Sequence, residues 1–345
     1  MRSVMDGIAT IPCPRCQTAA VAEDRFCEAC GAALDGVSRP ADPPTRPVGG
    51  ERRKTCRCPR GGADPDEDGF CRTCGFRVAA APSPDEPSLA YAIDAGLAAI
   101  SDLGRRHRTS GQVNQDAALA ARFRDGSALL VVADGVSSAN GAEAASAAAV
   151  AALRYVLEST DSDEAAPDTM RRAIAAAHAA VRAVEIAEPD PGKDPPESTI
   201  TAALVRSGIA TIGWVGDSRA YLISGREGRA LTRDDSWLCE VVEKGLMSLE
   251  EARTDRRAHA ITQCLGMDDL ALDIHVDAVP IEPGAWLMLC TDGLWNYLDD
   301  GMDLAVALAA MPDEADALER CRRLTLHAND RGGHDNISVV MLQVG

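Results

Sequence analysis

Aromatic side chains are scarce in this 345-residue chain, at 3%, so there is little to stack on nucleobases. Basic residues are in deficit too. Lys and Arg number 35 against 53 Asp and Glu, a formal charge of −18. That balance argues against a nucleic-acid-binding surface and against a polybasic membrane contact. Long hydrophobic runs are also missing. The apolar, Ala-rich stretch at residues 144–157 is interrupted by Arg154 and falls well short of the roughly 20 residues a membrane helix needs. The first ten residues contain no apolar segment of the secretory kind. These absences predict a cytoplasmic protein with no nucleic-acid partner and no membrane.

What is present is unevenly distributed. Apolar residues make up 46% of the chain, enough for a sizeable aliphatic core. At about 150 residues per domain, the length suits one globular domain plus something smaller. Residues 1–88 hold 12 Lys and Arg and 13 Asp and Glu, whereas the remainder holds 23 and 40. Eight of the twelve cysteines fall within the first 74 residues.

Those eight form two sets. Cys13, Cys16, Cys27 and Cys30 make a CxxC…CxxC pattern. Two such knuckles present four thiolates to a tetrahedral zinc ion, and in a reducing compartment metal is favoured over disulfides. The second set, Cys56, Cys58, Cys71 and Cys74, opens with a CxC pair of tighter chelating geometry. So short a segment buries no core, so the metal would supply the folding free energy. We therefore expect one or two structural zinc ions. The expected organisation is zinc ribbon 1 at 1–35, a linker at 36–52, an irregular second ribbon at 53–78, a linker at 79–90, and a catalytic domain at 91–345. With near-neutral charge and few aromatics, the ribbons suit protein docking or regulation better than nucleic-acid contact. Cys239, Cys264, Cys290 and Cys321 show no metal spacing and read as buried small hydrophobes.

In the acidic part, apolar runs at 127–133, 199–206, 210–215, 220–223, 285–291 and 337–344 read as strands. Apolar periodicity predicts helices at 142–157, 169–187 and 313–327. Ser248 and Glu251 form a capping box for a further short helix. The expected fold is α+β: a central sandwich of two mainly antiparallel sheets flanked by helices. Four acids fall at strand ends. Asp134 and Asp292 follow long apolar strands, Asp335 precedes one, and Asp116 precedes the first. An isolated Asp-Gly is usually just a turn, but four acids at the ends of buried strands would form an anionic cluster. Their repulsion raises pKa values unless cations bind. All-oxygen ligands select Mg²⁺ or Mn²⁺, and two such ions about 3.5–4 Å apart can activate a water and clamp a phosphoryl group.

With these segments assembled, the sequence resembles the metal-dependent protein phosphatases, the type 2C Ser/Thr phosphatases, over residues 91–345. The matching segments stand in family order: Ser101-Asp-Leu-Gly104 with Asn114-Gln-Asp116; Val131-Val-Ala-Asp-Gly135; Glu197-Ser-Thr199; Trp214-Val-Gly-Asp-Ser-Arg-Ala-Tyr221; Leu231-Thr-Arg-Asp-Asp-Ser236; Ala260-Ile-Thr-Gln-Cys-Leu-Gly266; Leu289-Cys-Thr-Asp-Gly-Leu-Trp295; and Gly333-His-Asp-Asn-Ile-Ser-Val339. Bacterial forms with N-terminal zinc ribbons are the nearest in layout.

The resemblance implies hydrolysis of phosphoserine and phosphothreonine in proteins by a metal-activated water, opposing a Ser/Thr kinase. It implies two Mn²⁺ or Mg²⁺. Asp134 would bridge them, the Gly135 carbonyl would complete the second site, Asp292 and Asp335 would hold the first ion, and Asp116 would orient water at the second. Asp194 is the candidate for a third metal. Ser198, Thr199 and Asp217 are read as framework. Three departures stand out. Gln115 occupies the place of a common acid. Gly111 stands where a phosphate-binding arginine is frequent, leaving Arg105, Arg106 or Arg108 to serve, each with a guanidinium fork suited to phosphate. Val136 follows Asp134-Gly135, so no histidine is placed there to protonate the leaving group. The first two departures define the alternative, a catalytically weak pseudophosphatase recruited through its ribbons. The cysteine pattern predicts that the full-length protein carries zinc. Metal analysis should find one or two equivalents, removed by chelators independently of the manganese that supports turnover.

Overall fold

The computed structural model describes residues 10–12, 19–21, 88–160, 164–267 and 272–345. The chain divides into two compact units, residues 1–80 and 81–345. In the first, strands β1 (Thr10–Pro12) and β2 (Ala19–Val21) pair as an antiparallel hairpin. All eight N-terminal cysteines, and with them the proposed zinc sites, lie outside the described residues.

The second unit is a two-sheet sandwich. One sheet has six strands in the order β10 (Glu227–Ala230), β9 (Arg219–Ser224), β12 (Trp286–Cys290), β13 (Ile337–Gln343), β4 (Leu97–Asp102) and β3 (Leu89–Asp94). The other has five, in the order β11 (His275–Pro280), β8 (Ile209–Val215), β7 (Ile200–Arg206), β6 (Ala128–Asp134) and β5 (Asp116–Arg122). Every neighbouring pair is antiparallel. Helices α2 (Ala142–Ser159) and α3 (Ala166–Arg182) cover the five-stranded sheet. Helices α7 (Gly301–Ala309) and α8 (Ala317–Asp330) cover the six-stranded one. Short helices α1 (Arg105–Ser110), α4 (Trp237–Glu243), α5 (Leu249–Arg253) and α6 (Asp292–Trp295) sit in the connections. Among the described residues no helix is long and apolar enough to cross a membrane.

Both faces of the central strands are buried, which explains why they read as continuous apolar runs rather than alternating ones. Along β6, Leu130 and Val132 face the other sheet, where they join Leu97, Ile212, Leu287 and Val340. Leu129 and Val131 face α2 and α3, against Ala149, Leu153, Met170 and Ile174. On the far side, Ile100, Met288, Val339 and Met341 pack beneath Leu304, Cys321 and Leu324. Ala-rich α2 suits this packing because alanine has the best intrinsic helix propensity and lets the sheet approach.

The expected sandwich and the six assigned strands are therefore found, together with five that the apolar runs did not mark, β3, β4, β5, β10 and β11, and with differences at some element ends. The sheet begins at Leu89, two residues before the expected domain start. Helix α3 starts earlier than predicted, with proline in its first turn, a tolerated position because that N–H is unpaired anyway. Helix α8 starts later, because the Asp316 carboxylate accepts from the Glu319 N–H at 2.8 Å and so fixes the first turn. The capping box is present on α5: Ser248 accepts from the Glu251 N–H and Glu251 from the Ser248 N–H. Leu130 is fully buried between the sheets, so Leu130→Ala should cost about 2–5 kcal/mol of stability. Urea denaturation would show a lower midpoint with an unchanged slope.

Candidate active site

The antiparallel register brings the acids together. Asp116 opens β5 and lies directly opposite Asp134, which closes β6. Asp292 follows β12 and Asp335 precedes β13, adjacent strands of the other sheet. Asp217 lies in the connection between β8 and β9. All five are at one end of the sandwich, around a cavity of about 400 Å³ walled by Asp134, Asp217, Asp292, Asp335, Thr199 and His259. Asp116 stands behind Asp134, buried.

Two glycines make the close approach possible. A side chain at Gly135 would place its Cβ 2.2 Å from the Ala142 carbonyl oxygen, and one at Gly293 would place it 1.9 Å from that of Asn336. The Asp-Gly pairs are thus contact points between loops as well as turns.

Uncharged groups fix the carboxylates. Thr291 donates its hydroxyl to Asp116 Oδ2 at 2.8 Å and accepts from the Ser338 N–H at 3.0 Å, linking the two sheets through one side chain. Asn336 accepts from the Gln115 N–H at 2.7 Å and donates to the Leu103 carbonyl at 2.9 Å. The Gln115 carbonyl accepts from the Gly135 N–H at 3.1 Å and from the Ser146 hydroxyl at 2.6 Å. Ser198 and Thr199 donate to the Asp134 carbonyl at 2.9 and 2.8 Å, through a hydroxyl and a backbone N–H. Asp235 accepts from the Gly216 N–H at 2.9 Å, from Gln263 at 3.0 Å and from His275 Nε2 at 2.8 Å, and so braces the turn that carries Asp217.

The acids are under strain of charge. Burial, and then the Asp335 charge, push Asp116 up to about 7 against the relief from its hydrogen bonds. Burial and the neighbouring Asp116 and Asp292 charges hold Asp134 well above the usual carboxylate range. Asp292 is raised by burial and then by Asp335 and Asp217. Asp217 is pushed up to about 7, by burial and then by Asp234.

Among the described residues no group of three or more His, Cys, Asp or Glu side chains is drawn together closely enough to hold a metal ion as it stands. The donor set nevertheless fits hard cations. Asp116 Oδ1 and Asp292 Oδ1 are buried without a hydrogen-bond partner, which is costly for a carboxylate oxygen. A divalent ion would satisfy such oxygens and offset their repulsion.

The other predicted residues fall at varying distances from this centre. Arg108 is committed to the buried Asp102 in an ion pair. Arg105 pairs with Asp330 at 3.5 Å on the surface. Arg106 stands 3.4 Å from His334 Nδ1, in the loop of Asp335, and its N–H donates to the Gly333 carbonyl. None of the three lines the cavity. Asp194 does not line it either; its carbonyl accepts from the Asn140 N–H at 2.9 Å. Gln115 accepts the Ser137 hydroxyl at 2.8 Å. His107, in α1, accepts from Asn336 at 3.1 Å.

Asp217, expected as framework, lines the same cavity as Asp134 and Asp292. Its signal in the sequence was the same as for the others, an acid at a strand end before a turn. Thr291, Asn336, Ser338 and Asp235 were missed as supports, although all four lie inside the motif segments. A larger hollow of about 470 Å³ lies at the opposite end of the five-stranded sheet, but its arginines Arg122 and Arg206 pair with Asp94 and Asp125.

The fold is that of a phosphatase class, and the chain belongs to the protein phosphatase 2C family, whose model matches residues 103–327. It is similar to the Serine/threonine phosphatase stp of Listeria welshimeri, 27% identical over 70% of this chain and 93% of that protein. The serine/threonine phosphatase of S. agalactiae matches in structure with a TM-score of 0.62 at 27% identity, over 72% of this chain and 98% of the other. The catalytic domain of PstP in complex with two manganese ions matches with a TM-score of 0.57 at 28% identity, over 72% and 98%.

The raised carboxyls give a pH prediction. In the metal-free protein the folded state holds protons on Asp116 and Asp217 up to about pH 7, whereas the unfolded chain releases them near pH 4. Between those values the folded state binds more protons, so stability falls as pH rises. Melting in chelator should show a lower Tm at pH 7.5 than at pH 5.5, and added Mn²⁺ should raise Tm more at the higher pH.

Proposed function

We infer that this protein hydrolyses phosphoserine and phosphothreonine in proteins, using two divalent cations held by Asp134, Asp292, Asp335 and Asp116 with the Gly135 carbonyl. The observation that carries the reading is the pair of orphaned carboxylate oxygens, on Asp116 and Asp292, within a cluster of acids whose charges raise one another. Family membership and the PstP complex with two manganese ions support the same reading. Asp217, which faces the same cavity, joins the ligand candidates on equal terms with Asp194.

The divalent ions, when bound, would supply positive charge for the phosphate and acidify a water for in-line attack. The protein's own groups do the positioning. The backbone and hydroxyls of Ser198 and Thr199 hold Asp134 from behind. Thr291 fixes which Asp116 oxygen points inward. Gln115, held by Ser137, replaces a carboxylate with a neutral amide and so lowers the negative charge at the mouth. Arg106 is the arginine next to the Asp335 loop and the best-placed phosphate contact of the three.

The substrates are phosphorylated Ser/Thr proteins, made by a Ser/Thr kinase. The N-terminal cysteines, as zinc ribbons, would dock such partners. The pseudophosphatase alternative is disfavoured by the complete acid set. With Mn²⁺ and a phosphothreonine peptide, Asp134→Asn and Asp292→Asn should each lower kcat/KM by more than about 100-fold, since losing even an outer-shell partner costs roughly 10–100-fold. Asp235→Asn, which only loosens the Asp217 turn, should fall inside that smaller range. Full activity in Asp134→Asn would refute the ligand assignment.

A further inference from the structure

A seryl or threonyl oxygen leaving phosphorus without a proton departs as an alkoxide, a poor leaving group. Some acid near that oxygen speeds the step, and general acids of this kind contribute roughly 10²–10⁴-fold. Immediately after Asp134-Gly135, on the cavity wall, stands Val136, which has no proton to give.

Of the three hydroxyl residues in the cavity wall, Ser137, Ser138 and Thr199, two are already engaged. Ser137 donates to Gln115, and Thr199 Oγ1 accepts from the Asp134 N–H and shares a hydrogen bond with Ser218. Of the residues lining the cavity, one is a histidine, His259. Imidazole is the side chain suited to carrying a proton on and off near neutral pH.

His259 is also well held in space. It lies between α5 and β11, in a segment whose backbone is tied at both sides. The Ala258 N–H donates to the Asp255 carbonyl at 3.1 Å, the Ala260 N–H to the Arg257 carbonyl at 2.9 Å, and the Trp237 N–H to the Ala260 carbonyl at 2.9 Å. The same histidine lines a second cavity, of about 290 Å³, that reaches Trp295 and Arg253. The two cavities share Asp217 and His259. His259 therefore borders both cavities, and it is exposed, so it is open to proton exchange with solvent.

We propose that His259 is the acid that protonates the leaving serine or threonine oxygen. The proposal rests on the phosphatase reading above. As a water oxygen bonds to phosphorus, the bond from phosphorus to the side-chain oxygen breaks, and the electron pair stays with that oxygen. The oxygen takes the imidazolium proton. The attacking water gives up a proton to solvent and the imidazole regains one. Each turnover consumes one water and yields the alcohol and inorganic phosphate.

The test compares leaving groups. Full-length His259→Gln and wild type are assayed with Mn²⁺ on a phosphothreonine peptide, whose alkoxide needs protonation, and on p-nitrophenyl phosphate, whose phenolate does not. We expect kcat on the peptide to fall about 100-fold, while kcat on p-nitrophenyl phosphate changes less than about threefold. In His259→Ala, added imidazole should restore peptide turnover without affecting the aryl substrate. Equal losses on both substrates, a change confined to KM, or an unchanged peptide kcat would each overturn the proposal. A wild type inactive on both substrates would instead overturn the phosphatase reading itself.

Discussion

Five carboxyl groups crowd one end of a closed sandwich, and their mutual repulsion is the constraint around which the rest is arranged. Burial alone penalises a carboxylate. Here Asp134 and Asp292 also feel neighbouring carboxylates, so both are held well above the usual carboxylate range. A fold that keeps such groups together must brace them with uncharged partners. It must also leave some oxygens unsatisfied if cations are to bind. Both features are present: the braces in Thr291, Asn336 and Ser198, the vacated bonds on Asp116 and Asp292.

The bracing explains why the two sheets are more than parallel slabs. Strands β5 and β6 carry two acids in one sheet, and β12 and β13 lead to two more in the other. The Thr291 hydroxyl and the Asn336 amide cross between them. Shared apolar packing, from Leu130 to Leu287, sets the spacing; the hydrogen bonds then set the height of each loop. Gly135 and Gly293 remove the Cβ atoms that would push the loops apart. The negative charge of the chain acquires a local meaning: part of it is concentrated where a doubly charged phosphate would be repelled, and cations bound there would reverse the sign of the field.

Much of this was legible in the residues. Continuous apolar runs marked strands buried on both faces, and the acids at their ends marked the site. The capping residues Ser248 and Glu251 predicted α5 correctly. Less legible was anything that depended on a side chain's direction. Arg108 has the chemistry of a phosphate ligand, but the buried Asp102 lies within its reach and holds it. Asp217 read as a turn residue, because nothing in one strand's sequence tells which loops of other strands it will face. His259 sits in a polar stretch without periodicity, and only the packing of that stretch shows that it borders two cavities.

The sequence by itself determined the class of fold and the places of six of its strands, and it marked four acids at strand ends as candidates, because burial and strand ends leave a local imprint on composition. Tertiary structure decided which groups meet. The pairing of Asp116 with Asp134 follows from a register between strands. The fifth acid, the bracing hydroxyls and the histidine at the cavity edge follow from contacts between segments far apart in the chain. Such contacts depend on distance in space, and distance in space is fixed only when both sheets have closed on their common core.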